Sequence, residues 1–271
     1  IRDSSTSRGL GDVYKRQHRN KAMIKASIRD IYHSHGGVDG YRTMQVYLRR
    51  KGTYISCATV HKYMNTEMQL FSVSRRKKPG YVHGAAHKVY DNRLKQNFHA
   101  KKRNRKWCTD FTYLTLADGR KRYNCTIIDL YDRSVIAGIT DRNITSDLAK
   151  RTLEKAIRSQ SGIDLKQLIL HSDQGSQYTS REFTEFCIEK GITQSMSKAG
   201  YPYDNAPMER YFNTLKTELI YQHNYRTETE LYSAIEEFAY VHYNHVRPHS
   251  YNNYKTPFET RYGRYKPDTK I

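Results

Sequence analysis

Apolar positions recur at helical spacing in the first quarter of the chain. Met23, Ile24, Ile28 and Ile31 form one set. Gly36, Gly37 and Gly40 predict a turn, and a second set follows at Met44, Val46, Tyr47 and Leu48. Beyond Lys51-Gly52 a third set opens near Ser56, with Val60, Tyr63 and Met64 on one face. After Trp107 the pattern changes. Strands are predicted over 107–116, 123–131 and 134–139, with Asp118-Gly119 and Asp132-Arg133 as the turns of antiparallel hairpins. Ser146 can cap a helix carrying Leu148, Leu153, Ala156 and Ile157, and 168–171 is a short apolar strand. Thr179 and Glu182 have capping-box spacing and open a helix that buries Phe183, Phe186 and Cys187, closed by Gly191. A brief strand over 192–196 and a helix over 208–220 follow. From Thr227 an amphipathic helix carries Leu231, Ile235, Phe238 and His242. Three strands followed by alternating helices and strands make an α/β domain with a mixed sheet, preceded by a small helical domain.

Composition adds a partner class. The 271 residues carry 47 Lys and Arg against 27 Asp and Glu, a formal charge of +20. Such a field attracts polyanions, nucleic acid first among them and a membrane surface second. No stretch reaches the roughly 18 apolar residues of a membrane span, and no secretory signal is visible. Cys57, Cys108, Cys125 and Cys187 form no CxxC pair, which argues against a zinc ribbon and fits a reducing cytoplasm. Residues 1–17 show no apolar periodicity, and the run Asp12-Val-Tyr-Lys-Arg-Gln17 resembles a translated sequencing adapter; the segment is set aside from the fold. The division expected is 18–78 as a helix-turn-helix-like DNA-binding region, 79–106 as a basic linker, 107–225 as the α/β core and 226–271 as its helical extension. Two basic runs flank the linker and are expected to touch DNA phosphates: Arg75, Arg76, Lys77 and Lys78, then Arg103, Arg105 and Lys106. Tyr240, Tyr243, Tyr251 and Tyr254, among Arg247, His245 and His249, are either core packing or an aromatic and basic DNA surface.

Three carboxylates stand out. Asp110 interrupts the first strand, where an unpaired charge is costly to bury. Asp173 ends the strand before Gln174-Gly175, and Glu209 lies in the first turn of the next helix, with 35 residues (174–208) between them. Together they would form an oxygen-rich site for Mg²⁺ or Mn²⁺. Singly, each also reads as a strand-edge residue, a turn former or a helix N-terminal charge. Asp129 rivals Asp110 for the first position. Lys216, two helical turns beyond Glu209, is a solvated lysine or a phosphate contact. Asn205 can cap the Glu209 helix or orient the site, and His171 can act near Asp173 or be structural.

The stretches Trp107-Cys-Thr-Asp110-Phe-Thr-Tyr113, His171-Ser-Asp173-Gln-Gly-Ser-Gln-Tyr178 and Tyr203-Asp-Asn-Ala-Pro-Met-Glu209 through Lys216-Thr-Glu218 resemble the integrase core of insertion-sequence transposases. The likeness is greatest to the OrfB subunit of the large two-frame family numbered three. Tyr243-Asn-His-Val-Arg-Pro-His249 and Thr256-Pro257-Phe258 resemble it too, and Gly40-Tyr-Arg42 more loosely, so the likeness spans about residues 20 to 265. The resemblance implies an RNase H-like fold with a mixed five-stranded sheet. It also implies Asp110, Asp173 and Glu209 as the metal-binding catalytic carboxylates, two divalent cations, a phosphate role for Lys216, an OrfA partner or fusion and a homo-oligomer on DNA. It favours Asp110 over Asp129. The activity implied is metal-dependent cleavage at element ends followed by strand transfer. Three rivals remain: a retroviral-type integrase, which lacks support because no CxxC follows His33 and His35; a catalytically silent DNA-binding regulator; and a nuclease that does not join strands.

Overall fold

In the computed structural model, which describes residues 5–73, 89–198 and 201–263, the chain divides into two units, 1–76 and 77–271. The first holds α1 (Ser5–Ser34), α2 (Tyr41–Arg50) and α3 (Cys57–His61), the last continuing as a π-helical turn, Lys62–Glu67. Ile28, Ile31, Met44, Tyr47, Leu48, Val60 and Met64 form its core. The three predicted apolar sets therefore pack together except for two members: Met23 is 62% exposed, one position round the helix from Ile24, and Val46 is half-buried outside this core. Gly37 takes φ +75, and a Cβ there would stand 3.0 Å from the Tyr32 hydroxyl, so both backbone and space require glycine at this turn. Ser56 caps α3 by accepting from the Thr59 N–H at 3.1 Å. Glu67 pairs with Lys25 at 2.6 Å and Lys21 at 3.0 Å, tying the end of the third helix to α1. These ammonium groups hold its carboxyl down at about 2. The helix begins at Ser5, so residues 5–17, set aside on sequence grounds, continue its backbone. No proline interrupts them, and a helix already nucleated extends at one hydrogen bond per residue.

The second unit is built on one sheet. In chain order it comprises β1 (Lys106–Thr115), β2 (Lys121–Asp129), β3 (Val135–Asp141), α4 (Ser146–Ser159), β4 (Ile169–Ser172), α5 (Ser176–Thr179), α6 (Arg181–Glu189), β5 (Thr193–Met196), α7 (Ala206–Glu218), α8 (Glu228–Glu236), a π-helix (Glu237–Val246) and α9 (Pro257–Tyr262). The strand order is β3-β2-β1-β4-β5. β1, β2 and β3 are antiparallel neighbours, and β1, β4 and β5 run parallel. This is the expected mixed five-stranded sheet. Two caps sit one residue earlier or later than predicted. Thr145, not Ser146, caps α4, and Ser180, not Thr179, caps α6. In each hydroxyl pair the residue with extended backbone does the capping.

Alternation along β1 sorts its side chains between two layers. Trp107 packs with Leu170, Tyr178 and Phe183 in the layer holding α4 and α6. Cys108 packs with Met208, Tyr211 and Leu215 of α7 and with Phe238 and Tyr243 of the π-helix. Asp110 follows Cys108 by two and so faces α7.

The basic linker is not a free tether where it is described. Leu94 and Ala100 are buried in the Cys108 layer, because the segment carries apolar residues that its charge run concealed. The C-terminal region likewise completes the body. Asn244 accepts from the Val135 N–H at 2.9 Å and donates to its carbonyl at 2.8 Å, and the Tyr240 hydroxyl accepts from Gly138 N at 2.9 Å. These side chains occupy polar groups on an outer strand of the sheet, which would otherwise invite a foreign strand.

Asp129, the rival for the first catalytic position, is structural. It is fully buried and accepts from Asn104 N at 2.7 Å, Tyr131 N at 3.0 Å and Arg261 at 3.0 Å. Arg261 on α9 also reaches Asp132 at 2.7 Å and bonds Asn104 and Gln160. Burial and the Asp132 charge push the Asp129 carboxyl up, and Arg261 opposes them. Arg261→Met should therefore leave two buried carboxylates without their cation and cost about 3–5 kcal/mol. Urea unfolding checks this, and a loss below about 1 kcal/mol would show that α9 is not fastened by that arginine.

Candidate functional site

β1 and β4 lie side by side with Cys108 opposite His171. Two residues beyond that pair stand Asp110, within β1, and Asp173, just past the end of β4. Parallel pairing thus delivers both carboxylates to the same end of the sheet and the same face. α7 crosses that face, burying Met208, Tyr211, Phe212 and Leu215, and carries Glu209 in its first turn.

The electrostatics tie these groups together. Burial raises the Asp110 pKa well above the ordinary carboxylate range, and the charges of Asp173 and Glu209 raise it further. The Phe111 N–H, which donates to Asp110 Oδ1 at 2.7 Å, and the Lys216 ammonium oppose the shift. Asp173 is exposed on one side, yet its carboxyl is hemmed in enough that loss of water raises its pKa as well. The Gly175 N–H opposes that shift, donating to Asp173 Oδ1 at 3.0 Å. A Cβ on Gly175 would lie 2.9 Å from the same oxygen, which explains glycine in Asp173-Gln174-Gly175. Burial lowers the Lys216 pKa while the Asp110 charge pulls it back up. Among the described residues, no three His, Cys, Asp or Glu side chains stand grouped closely enough to make a finished metal cage. The donor set nonetheless suits a hard divalent cation: carboxylate oxygens whose mutual repulsion a positive charge would relieve.

His171 is a strut. Its Nε2 faces the Asp204 carbonyl at 2.9 Å, and a carbonyl only accepts, so Nε2 carries the proton. Nδ1 then accepts from Ser195 Oγ at 2.9 Å, and Ser195 Oγ itself accepts from Arg93 N. Burial lowers the His171 pKa to about 4, so the ring is neutral and stays out of proton transfer near neutrality. Asp204 is a second strut that sequence reasoning missed. Its carboxylate accepts from Asn92 at 2.8 Å, Gln96 at 2.9 Å and Lys198 N at 3.1 Å. Only its place just before a helix marked it in the sequence. Asn205 does not cap α7 with its side chain. It donates instead to the Thr109 carbonyl at 3.4 Å, linking the residue before Asp110 to the start of the Glu209 helix.

The predicted basic contacts divide. Lys106 donates to the carbonyls of Asn97 at 2.8 Å and His99 at 3.0 Å, and Arg105 bonds Gln167. Both fasten the segment leading into β1. Arg103 is exposed, with its guanidinium 5.9 Å from the Tyr262 ring. Arg75, Arg76, Lys77 and Lys78 lie outside the described residues.

With this geometry in place, the chain can be compared with known proteins. Residues 100–202 and 190–257 match two families described as integrase core domain, and residues 17–78 match an HTH-like domain. The chain is 33% identical over 246 residues to InsK, the transposase named for insertion sequence element IS150 of Escherichia coli, covering 91% of this chain and 85% of that protein. It is 30% identical over 244 residues to the transposase for insertion sequence element IS904 of Lactococcus lactis, covering 89% of this chain and 94% of that one. Among solved structures it resembles the simian T-cell lymphotropic virus intasome, with a TM-score of 0.51 and 18% identity over 84% of this chain and 72% of that one. That likeness is one of fold, the RNase H-like arrangement of the sheet.

The raised Asp110 pKa has a consequence for stability. In the window above the ordinary carboxylate value and up to the raised one, the folded state binds more proton than the unfolded state. Stability contributed at this group is therefore present at low pH and lost as pH rises. Without divalent cations, Asp110→Asn should melt higher than the parent at pH 7. The gap should be at least about 2 °C, roughly what 1 kcal/mol gives in a chain of this size. It should shrink near pH 4, where the carboxyl is protonated in the folded state. A variant that melts lower at pH 7 would show that Asp110 is not strained by its neighbours.

Proposed function

This chain belongs to the insertion-sequence transposases, and on that premise we propose that it is a polynucleotidyl transferase using Asp110, Asp173 and Glu209 to cut DNA at an element's ends and join the freed strands to a target. The observation that carries the reading is the parallel pairing of β1 with β4, which brings Asp110 and Asp173 to one end of the sheet on the face covered by α7, the helix of Glu209 and Lys216. Those carboxylates would hold two divalent cations, Mg²⁺ or Mn²⁺, which when bound activate an attacking oxygen and stabilise the leaving one.

The chain's own residues do the positioning. Gly175 fixes one oxygen of Asp173, and Asn205 and His171 hold the start of α7 against β1 and β4. Lys216, two turns beyond Glu209 on α7, places a cation beside Asp110, where a phosphate bearing developing charge would sit. Water attacks first and frees a 3′-hydroxyl; that hydroxyl then attacks a second phosphodiester. Both steps are displacements at phosphorus, so one site serves both and none of the 24 tyrosines is needed as a nucleophile. The HTH-like match over residues 17–78 supports a DNA-binding role for residues 18–78. An OrfA partner and a homo-oligomer on DNA rest on the family alone, as does a cytoplasmic, nucleoid-associated location. No helix among the described residues is long and apolar enough to cross a membrane.

Asp110→Asn, Asp173→Asn and Glu209→Gln should each reduce cleavage and strand transfer at least about a hundredfold, while duplex affinity, supplied by Lys and Arg, largely survives. Strand transfer retained in any one of them would remove that residue from the assignment. Mn²⁺ should raise the melting temperature of the parent chain and fail to do so in the variants, since a ligand bound only by the folded state stabilises it. Joining of pre-cut ends separates a transposase from a nuclease, and complete inactivity in the parent would favour the silent regulator.

A further inference from the structure

The layer behind Asp110 is apolar, yet two hydroxyls meet in it. Thr109, one residue before Asp110, alternates to the opposite face of β1, towards α4 and α6. There its Oγ1 shares a hydrogen bond of 3.0 Å with the Tyr178 hydroxyl. Both residues are only 1% exposed. The Tyr178 ring packs against Phe111 at 5.3 Å and Phe183 at 5.4 Å. The Cys125 sulfur lies 3.8 Å from Thr109 Oγ1 and 3.7 Å from the Tyr178 oxygen, so the second hydroxyl proton also has an acceptor within the layer.

Stability does not call for such a pair. Exchanging both partners of a buried hydrogen bond for apolar groups of the same shape is close to neutral or stabilising. Valine and phenylalanine would fill the same space. The value of the bond therefore lies in what it joins. Gly175 N–H donates to Asp173 Oδ1 at 3.0 Å, and the Gly175 carbonyl accepts from Tyr178 N at 3.0 Å. Tyr178 is thus fixed by its backbone to the Asp173 loop and by its hydroxyl to the residue before Asp110. Gln194 on β5 donates to the Tyr178 carbonyl at 3.2 Å and keeps α5 from sliding. On its other side, the Thr109 carbonyl accepts from Asn205 at 3.4 Å, at the start of the Glu209 helix. Thr109 therefore bonds to both segments that bring the other two carboxylates to Asp110.

We propose that Thr109 and Tyr178 are a positioning pair, whose buried hydrogen bond holds Asp110 and Asp173 at the spacing that a small octahedral cation requires. The inference rests on the reading of Asp110, Asp173 and Glu209 as metal ligands and adds two residues that act through them. Groups that orient metal ligands typically change metal affinity about 10–100-fold when lost. Mg²⁺ demands near-ideal octahedral geometry, whereas Ca²⁺ accepts looser and more varied ligand sets. Slackening the pair should then cost Mg²⁺ more than Ca²⁺.

The test is the rise in melting temperature of the full chain as Mg²⁺ or Ca²⁺ is titrated in without DNA. Tyr178→Phe and Thr109→Val should each raise the Mg²⁺ concentration at half-rise about tenfold, and the Ca²⁺ concentration less than about threefold. Thr109→Ser keeps the hydroxyl and should stay within about twofold of the parent. The double variant should match either single one, about tenfold rather than about a hundredfold, because both changes delete the same bond. Its metal-free melting temperature should equal or exceed the parent's. Its Mg²⁺ and Ca²⁺ shifts therefore decide the matter even if a single variant fails to fold. Equal shifts for the two cations, or a shift of about a hundredfold in the double variant, would overturn the pair. A parent that responds to metal while the variants keep its midpoint removes the pair alone. A parent that responds to neither cation overturns the carboxylate reading, and the pair with it.

Discussion

An acidic side chain in the middle of the central strand is the constraint to which the rest of the catalytic unit answers. Asp110 lies on β1, which has a neighbour on each side and a helical layer on each face. A carboxylate there is half-buried, and loss of water with the charges of Asp173 and Glu209 opposes its ionisation. The sheet cannot relax by moving the strand, because β1 also carries Trp107 and Cys108, each buried in a different layer. The repulsion is therefore held in place. Gly175 donates its N–H to the Asp173 carboxylate, His171 and Asn205 donate to the carbonyls of Asp204 and Thr109, and the Asp204 carboxylate accepts from Asn92, Gln96 and Lys198 N. Catalytic sites commonly keep strain that a more stable arrangement would remove.

The strain is offset at the other end of the same unit. Arg261 on the last described helix closes over Asp129 and Asp132, and Asn244 and Tyr240 occupy the outer strand. The segment before β1 adds Leu94 and Ala100 to the layer beneath α7 and sends Asn92 and Gln96 to Asp204. Residues that the sequence presents as linker and tail thus complete the core on which the site stands. Truncation to residues 107–225 would strip both the Asp204 partners and the Arg261 clasp.

Much of this was legible in the chain itself. The switch from helical to strand periodicity at Trp107 and all five strands follow from alternation and turn residues, because each strand buries at least one face. The carboxylates were legible because charged residues are rare inside strands and because the motifs around them are specific. Other features were not. Caps shifted by a residue at Thr145 and Ser180, where two adjacent hydroxyls compete and only the backbone decides. Asp129 and Asp110 look alike in sequence, since both interrupt apolar runs; what separates them is Arg261, 132 positions away. The linker's apolar residues were masked by the charges beside them.

Charge was the least legible property of all. A net +20 says that a polyanion is near and nothing about which cation meets it. Arg105 and Lys106, in the densest basic run, spend their donors on Gln167, Asn97 and His99. Lys216, which stands in no charge run, lies two turns beyond Glu209 on a single helix. The reason is geometric. A run of basic residues in an extended segment radiates in several directions, and some of its members are recruited by nearby carbonyls. A cation seven residues beyond a carboxylate on one helix lies on the same face, so the two are aimed alike. One helical position thus aligns Lys216 with Glu209 where the basic run before β1 does not, and that alignment owes nothing to the total charge.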